Sequence, residues 1–275
     1  MNEFNDFYIK RRFSYLPSPY PNTNIEYFKD YYSANKIEVE IGENEMLFIP
    51  AGWFHFVISD KVDKDERLNV AISFFTEFDK CADCDLIEGK KIFFNNINLL
   101  KEENLNYQRL KDDKLPIKII SNKRRNKHVN ISNIKKMFED KNIIVNKSKN
   151  QLFVSNFIKD IYPDNCIEIE KKIDEIIYNG KKENYYLMQT ENDFSIIGIQ
   201  PPDFLNNEKK KNYSFWMNFG NVYSGLHYDI HNNILLQLKG SKKILLFPPY
   251  EREKLHLVNK LNPKLLCFFK KNLRH

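Results

Sequence analysis

The chain has 275 residues, 42% of them apolar and 14% aromatic, enough for one large domain or two modest ones with a real core, which excludes disorder along its whole length. Its formal charge of +6 invites a nucleic-acid partner, yet much of the excess lies in Lys123-Arg124-Arg125-Asn126-Lys127 and Lys209-Lys210-Lys211, runs that read as solvated loops. No stretch reaches the ~18 consecutive apolar residues of a membrane span, and Met1-Asn2-Glu3-Phe4-Asn5-Asp6 lacks a signal peptide's basic and apolar regions, so the expected setting is soluble and intracellular, cytoplasmic or nuclear, with no membrane partner.

In chain order, Ile37-Glu38-Val39-Glu40-Ile41 alternates apolar and polar as a half-buried strand. Gly42-Glu43-Asn44 reads as a turn, and Met46-Leu47-Phe48-Ile49 as a second strand closed by Pro50-Ala51-Gly52. Trp53-Phe54-His55-Phe56-Val57-Ile58 follows, with His55 the lone polar group in an apolar run: a hydrogen-bonded core histidine or a ligand. Leu68 to Phe75 reads as a further strand. Residues 80 to 130, rich in Lys, Asn and Asp with apolar clusters such as Ile92-Phe93-Phe94, read as a connector with a helix around Ile97 to Leu105. Within it Cys81 and Cys84 form one Cys-x-x-Cys. A structural zinc site takes four ligands, and Cys166 and Cys267 lack partner spacing, so cysteine usage points to a reducing compartment.

Ile131, Ile134, Met137 and Phe138 keep helical spacing. A second helix is predicted with Asp164 or Asn165 as cap, Ile169, Ile173, Ile176 and Ile177 on one face, and Gly180 as its stop. Asn233 to Lys239 and Lys242 to Phe247 read as two strands of a hairpin around Gly240-Ser241, ended by Pro248-Pro249. Lys242 enters an apolar strand. It either meets an anion or sits at the strand mouth with its ammonium in water.

The chemistry concentrates at His227-Tyr228-Asp229. Side chains at i and i+2 of a strand share a face, so an imidazole and a carboxylate converge. A mononuclear iron(II) oxygenase needs two His and one carboxylate on one face of the metal, with the opposite positions open. His-x-Asp supplies two of the three, and His55 is the best candidate for the third.

Gly42 to His55, Gly-Glu-Asn-Glu-Met-Leu-Phe-Ile-Pro-Ala-Gly-Trp-Phe-His, resembles the segment that delivers the distal histidine in JmjC-type, cupin-fold 2-oxoglutarate dioxygenases. Leu68 to Phe75 resembles the closing strand after it, and residues 185 to 250 resemble the other half of the same barrel. Within the family the pattern is similar to that of the asparaginyl hydroxylase that inhibits hypoxia-inducible factor. The resemblance implies a mainly β fold with added helices, a double-stranded β-helix (cupin or jelly-roll) barrel. It makes His227, Asp229 and His55 ligands of Fe(II), with 2-oxoglutarate as co-substrate. Lys242, Ser224 and Tyr186 fall on positions that bind its far carboxylate. Asn233 and Ser73 correspond to polar residues near metal and co-substrate, Ser73 replacing an amide.

In the family the His-x-Asp half comes first, whereas here His55 precedes it. Residues 1–79 are therefore read as the distal-His half, 80–150 as connector and 151–275 as the His-x-Asp half. The chain is a circular permutant closing one barrel, a fragment of a tandem protein, or one of two copies completed by strand exchange, a homo-oligomer. Intramolecular closure is favoured, because each half alone would expose an apolar face and open strand edges. The expected activity is hydroxylation of a protein side chain with release of succinate and CO2. A modified base in RNA is the second substrate reading, and a non-catalytic cupin-like binding module is the rival class.

Overall fold

A computed structural model describes residues 12–16, 18–21, 28–59, 68–78, 96–148, 152–153, 166–191, 198–206, 212–220 and 222–258. The early strands are β1 (Ile37–Ile41), β2 (Glu45–Ile49), β3 (Phe54–Ser59) and β4 (Asn69–Phe78). Next come β5 (Asn98–Lys101), β6 (Ile117–Ile120), β7 (Ile143–Ser148), β8 (Leu152–Phe153) and β9 (Cys166–Lys171). The late strands are β10 (Tyr185–Glu191), β11 (Asn212–Asn218), β12 (Val222–Ser224), β13 (His227–Tyr228), β14 (His231–Lys239) and β15 (Lys242–Phe247). The described helices α1 (Lys29–Ser33), α2 (Tyr107–Asp113), α3 (Ile131–Met137) and α4 (Ile173–Glu183) complete a mainly β architecture of two facing sheets, a jelly-roll barrel. No helix among the described residues is long and apolar enough to cross a membrane.

One sheet runs β1-β15-β3-β12-β8, with β13 also on β3; the other runs β5-β6-β2-β14-β4-β11-β10-β7-β9. Early and late strands interleave. β15 lies between β1 and β3, with Val39 opposite Ile244 and His55 opposite Leu246. β14 lies between β2 and β4, with Leu235 opposite both Leu47 and Ser73. The two ends of the chain thus close on each other, and neither leaves its central strand edges open.

This topology corrects the hairpin predicted around Gly240-Ser241. The two strands and the turn are where the sequence put them, but β14 and β15 belong to opposite sheets and do not pair with each other. Gly240, at φ 72°, turns the chain through a corner of the barrel. Gly42-Glu43-Asn44 does the same between β1 and β2, and the corners brace each other: Asn44 N–H donates to Gln237 O (2.8 Å) and Gly240 N–H to Glu43 Oε1 (3.2 Å). A turn dictates reversal of direction. Whether the returning strand pairs locally depends on which distant strands compete for its edges.

Alternation in β1 places Ile37, Val39 and Ile41 inward, where they meet Leu47, Ile49, Ala71, Leu235 and Leu246 between the sheets. The opposite face of the larger sheet buries Met46, Phe48, Ile72, Phe215 and Leu236 against α2, α3 and α4. That sheet is therefore covered on both sides, which is why β14 is buried without a break from Asn232 to Leu238.

Several local expectations change. The helix expected over Ile97 to Leu105 is strand β5 followed by a short 3-10 turn, and the helix begins at Tyr107, capped by Asn106 through Gln108 N–H (2.9 Å). Ile169 is not on the later helix: Cys166-Ile167-Glu168-Ile169-Glu170 alternates at period two and forms β9. Gly180 is inside α4 rather than at its end, which falls at Asn184 with φ 49°. The run Lys123–Lys127 is not wholly solvated, because the Arg125 guanidinium is buried and makes a bidentate pair with Glu102 (2.8 and 2.5 Å). Burial pushes the Glu102 carboxyl up, but the bonds from Arg125 and Ser121 outweigh it and hold the group below its ordinary value. The predicted features at Met1–Asp6, Cys81, Cys84, Ile92–Phe94, Asp164, Asn165, Lys209–Lys211 and Cys267 lie outside the described residues.

Gly180 sits where α4 meets the Phe219 ring; a Cβ there would come within 2.0 Å of it. Alanine normally improves a helix interior by about 0.8–1 kcal/mol over glycine. Gly180→Ala is expected instead to lose roughly 1–3 kcal/mol through overpacking, read as a lower urea midpoint; an unchanged or higher midpoint would mean that the ring yields freely.

Candidate metal centre

The pairing of β13 with β3 makes His227 and His55 direct cross-strand partners. Opposed residues of an antiparallel pair hold their Cβ atoms about 5 Å apart, and the two imidazole centroids lie 4.4 Å apart. Asp229 follows β13, and its backbone carbonyl accepts from Gly52 N–H (2.8 Å), tying the Pro50-Ala51-Gly52 turn ahead of His55 to the His-x-Asp loop. Gly52, at φ 84°, adopts a backbone conformation costly for other residues. Asn232 Oδ1 fixes the same turn by accepting from Ala51 N–H (2.9 Å).

The three donor atoms lie within 4.8 Å of one another, with His55 Nε2 and Asp229 Oδ2 3.7 Å apart. Two ligands each about 2 Å from a common ion stand no more than ~4 Å apart, so small side-chain movements complete a coordination set. Both rings are oriented for it. His55 Nδ1–H donates to Trp53 O (3.0 Å) and His227 Nδ1–H to Gly225 O (2.7 Å), so the Nε2 of each ring is the atom left to meet a metal, an arrangement typical of metal-bound histidine. Burial, reinforced by the neighbouring His55, lowers the His227 pKa to about 4, so its imidazole is neutral near pH 7. A short segment, Arg12 to Leu16, crosses behind: Tyr228 N–H donates to Arg12 O (3.1 Å), and Phe13 stacks on the His227 ring at 5.7 Å.

All eight site residues expected from sequence line one cavity of about 480 Å³, within the range of small-molecule sites. Lys242 is 1% exposed, which excludes the strand-mouth alternative with its ammonium in water, and His55 is buried, as both a core histidine and a ligand would be. Lys242 Nζ donates to Ser59 Oγ (2.8 Å), and no carboxylate among the described residues pairs with it. Burial alone pulls its pKa down to about 7. Ser224 Oγ accepts from Val57 N–H (3.0 Å) and Ser73 Oγ from Trp216 Nε1–H (3.0 Å), so each hydroxyl keeps its proton to donate. Tyr186 is buried, which raises its phenol pKa, and stacks on Phe153 at 4.4 Å. Asn233 Oδ1 is buried without a hydrogen-bond partner. Two hydroxyl donors and an ammonium without a counter-charge in one cavity describe a receptor for an anionic guest, and the Asn233 amide oxygen adds an acceptor beside them.

Sequence reasoning missed Arg12, Phe13, Ser59, Trp216 and Asn218. Ser59 alone carried a signal, standing four residues after His55 and hence on the same strand face. Arg12, Phe13 and Trp216 reach the cavity, and Asn218 reaches Ser59, through pairings that no local pattern encodes.

The cupin-like domain model matches residues 93–265, a stretch that contains His227, Asp229, Lys242, Tyr186, Ser224 and Asn233 but not His55 or Ser73. Among curated proteins the chain is similar to the lysine-specific demethylase JMJ31 of Arabidopsis thaliana, 43% identical over 51 residues, or 18% of this chain and 9% of that protein. The chain thus matches only a small part of that relative's length, and no solved structure matches. With its two-sheet barrel and a family match over more than half its length, the chain belongs to the cupin-like domain family.

Proposed function

We propose that the chain is an Fe(II)- and 2-oxoglutarate-dependent oxygenase that hydroxylates a protein side chain, releasing succinate and carbon dioxide. The observation that carries this reading is the presence, in one cavity, of a His-His-Asp donor cluster and a buried ammonium without a carboxylate. Lys242 pairs with Ser59, four residues along β3 from His55, so their Cα atoms are on the order of 13 Å apart. A diacid with one end on the metal and the other on the Lys242 ammonium suits that arrangement, and 2-oxoglutarate is one.

His55, His227 and Asp229 would hold the ion. Bound there, iron(II) supplies dioxygen activation and the oxidative decarboxylation of 2-oxoglutarate, one oxygen atom going to succinate and the other into a substrate C–H bond. Lys242, Ser224 and Tyr186 hold the far carboxylate, the charge-assisted bond from Lys242 fixing orientation as well as affinity. Asn233 and Ser73 present polar atoms between the two ends. Ile49, Phe75, Leu235 and Trp216 wall the cavity with apolar surface that excludes water. The partial likeness to a protein named as a lysine-specific demethylase supports a protein substrate. The interleaving of early and late strands supports a circularly permuted barrel over a tandem fragment or an exchanged dimer.

With Fe(II), 2-oxoglutarate and dioxygen the chain is expected to form succinate, and His227→Ala or Asp229→Ala to abolish it. Lys242→Met should raise KM for 2-oxoglutarate roughly 10–100-fold, the loss expected for a hydrogen bond to a charged group. A stable, metal-loaded chain without turnover would favour the binding module, and stimulation by RNA but not by protein would favour base hydroxylation.

A second expectation concerns the guest-free chain. Lys242 titrates near 7 when folded against an ordinary 10.5, so between those values the unfolded chain binds more protons and stability rises with pH. The melting temperature should climb from about pH 7 to pH 9, and Lys242→Met should flatten that climb; parallel profiles would remove the buried ammonium from the account.

A further inference from the structure

We infer that Ser59 and Asn218 are positioning residues for Lys242, a buried hydroxyl-amide relay that aims its ammonium into the cavity. The inference rests on the anion-binding reading of Lys242 and extends it to two residues on other strands. All three side chains are buried, Asn218 completely. Ser59 Oγ accepts from Lys242 Nζ (2.8 Å) and from Asn218 Nδ2 (2.9 Å). Asn218 Oδ1 accepts from Gly220 N–H (3.0 Å), which decides the way its amide faces and turns the NH2 toward Ser59.

The relay bridges the barrel. Ser59 on β3 is the direct partner of Lys242 on β15, while Asn218 ends β11 in the opposite sheet, opposite Tyr186. An ammonium has three donors; Ser59 takes one and leaves two for the oxygens of a guest carboxylate. Lysine has a long, freely rotating stem, and without a fixed acceptor its head would have no preferred direction in an apolar wall. Because Ser59 shares β3 with His55, one strand sets both the metal end and the carboxylate end of the cavity. The relay is thus a measuring device for guest length.

The test compares 2-oxoglutarate with 2-oxobutyrate, which lacks the far carboxylate, by calorimetric binding to the Fe(II)-loaded chain without oxygen. Ser59→Ala is expected to weaken 2-oxoglutarate roughly ten-fold and leave 2-oxobutyrate unchanged, with Ser59→Thr restoring affinity. Equal weakening of both acids, or of neither, would overturn the relay. If the wild-type chain binds neither acid, the co-substrate reading fails on its own. The relay is then decided by melting of the metal-free chain: Ser59→Ala should cost more at about pH 6, where Lys242 is charged, than at pH 9, and an equal cost at both would refute it.

Discussion

The short antiparallel contact between β13 and β3 is the constraint from which the site follows. It sets His227 opposite His55 and carries Asp229 to within 3.7 Å of the His55 ring. Strand pairing fixes Cβ positions to a fraction of an ångström and alternates faces, so a slip of one residue would turn one imidazole away from the other. Three features guard against it. The Gly52–Asp229 and Ala51–Asn232 hydrogen bonds pin the turn before His55, and Phe13 backs the His227 ring. These interactions place donors for a cation, and Phe13 also joins the apolar cluster of Tyr15, Leu226 and Tyr228.

The cavity is also where the fold departs from its most stable arrangement. Elsewhere the interior is mainly Ile, Leu, Val, Phe and Tyr, and buried polar groups such as Arg125 with Glu102 and Thr76 with Tyr107 are paired. Here a lysine, two serines, an asparagine and a tyrosine are buried, and the Asn233 amide oxygen has no partner. Burying a cation without a counter-charge costs several kcal/mol in real proteins, and an unpaired carbonyl about 1–3 kcal/mol. A methionine at position 242 would avoid the first cost. The ammonium is at its lowest energy when an anionic guest supplies the missing counter-charge, whereas the Asn233 carbonyl calls for a donor such as a water or an N–H group.

The elements around the site were legible in the sequence to the extent that they are local. Alternation in Ile37–Ile41, the lone His55, the His-x-Asp spacing and Lys242 in its apolar strand all survive in the fold, because period and spacing are carried by adjacent residues. Pairing was not legible. Gly240-Ser241 has hairpin chemistry, yet β14 and β15 join different sheets, since edges offered by β1 to β4 take both strands. Asn218 is invisible for the same reason: its role arises from Ser59, remote in the chain, and only the closed barrel brings them to 2.9 Å. Gly180 misled because a glycine can stop a helix or admit a ring, and the Phe219 ring that decides between them lies on another segment.

Interleaving has a thermodynamic consequence for the centre. One ligand comes from the early strands and two from the late ones, and the strands that carry them close the same barrel. A cation that binds all three therefore binds only the closed form, and its binding free energy adds to the stability of the whole barrel rather than of one loop. The converse also holds. Opening the smaller sheet between β3 and β13 separates His55 from His227 and Asp229, so the fold and the metal site are lost together. In a barrel whose strands followed each other in pairing order, the site could assemble from neighbours. Here it exists only when the two ends of the chain have met.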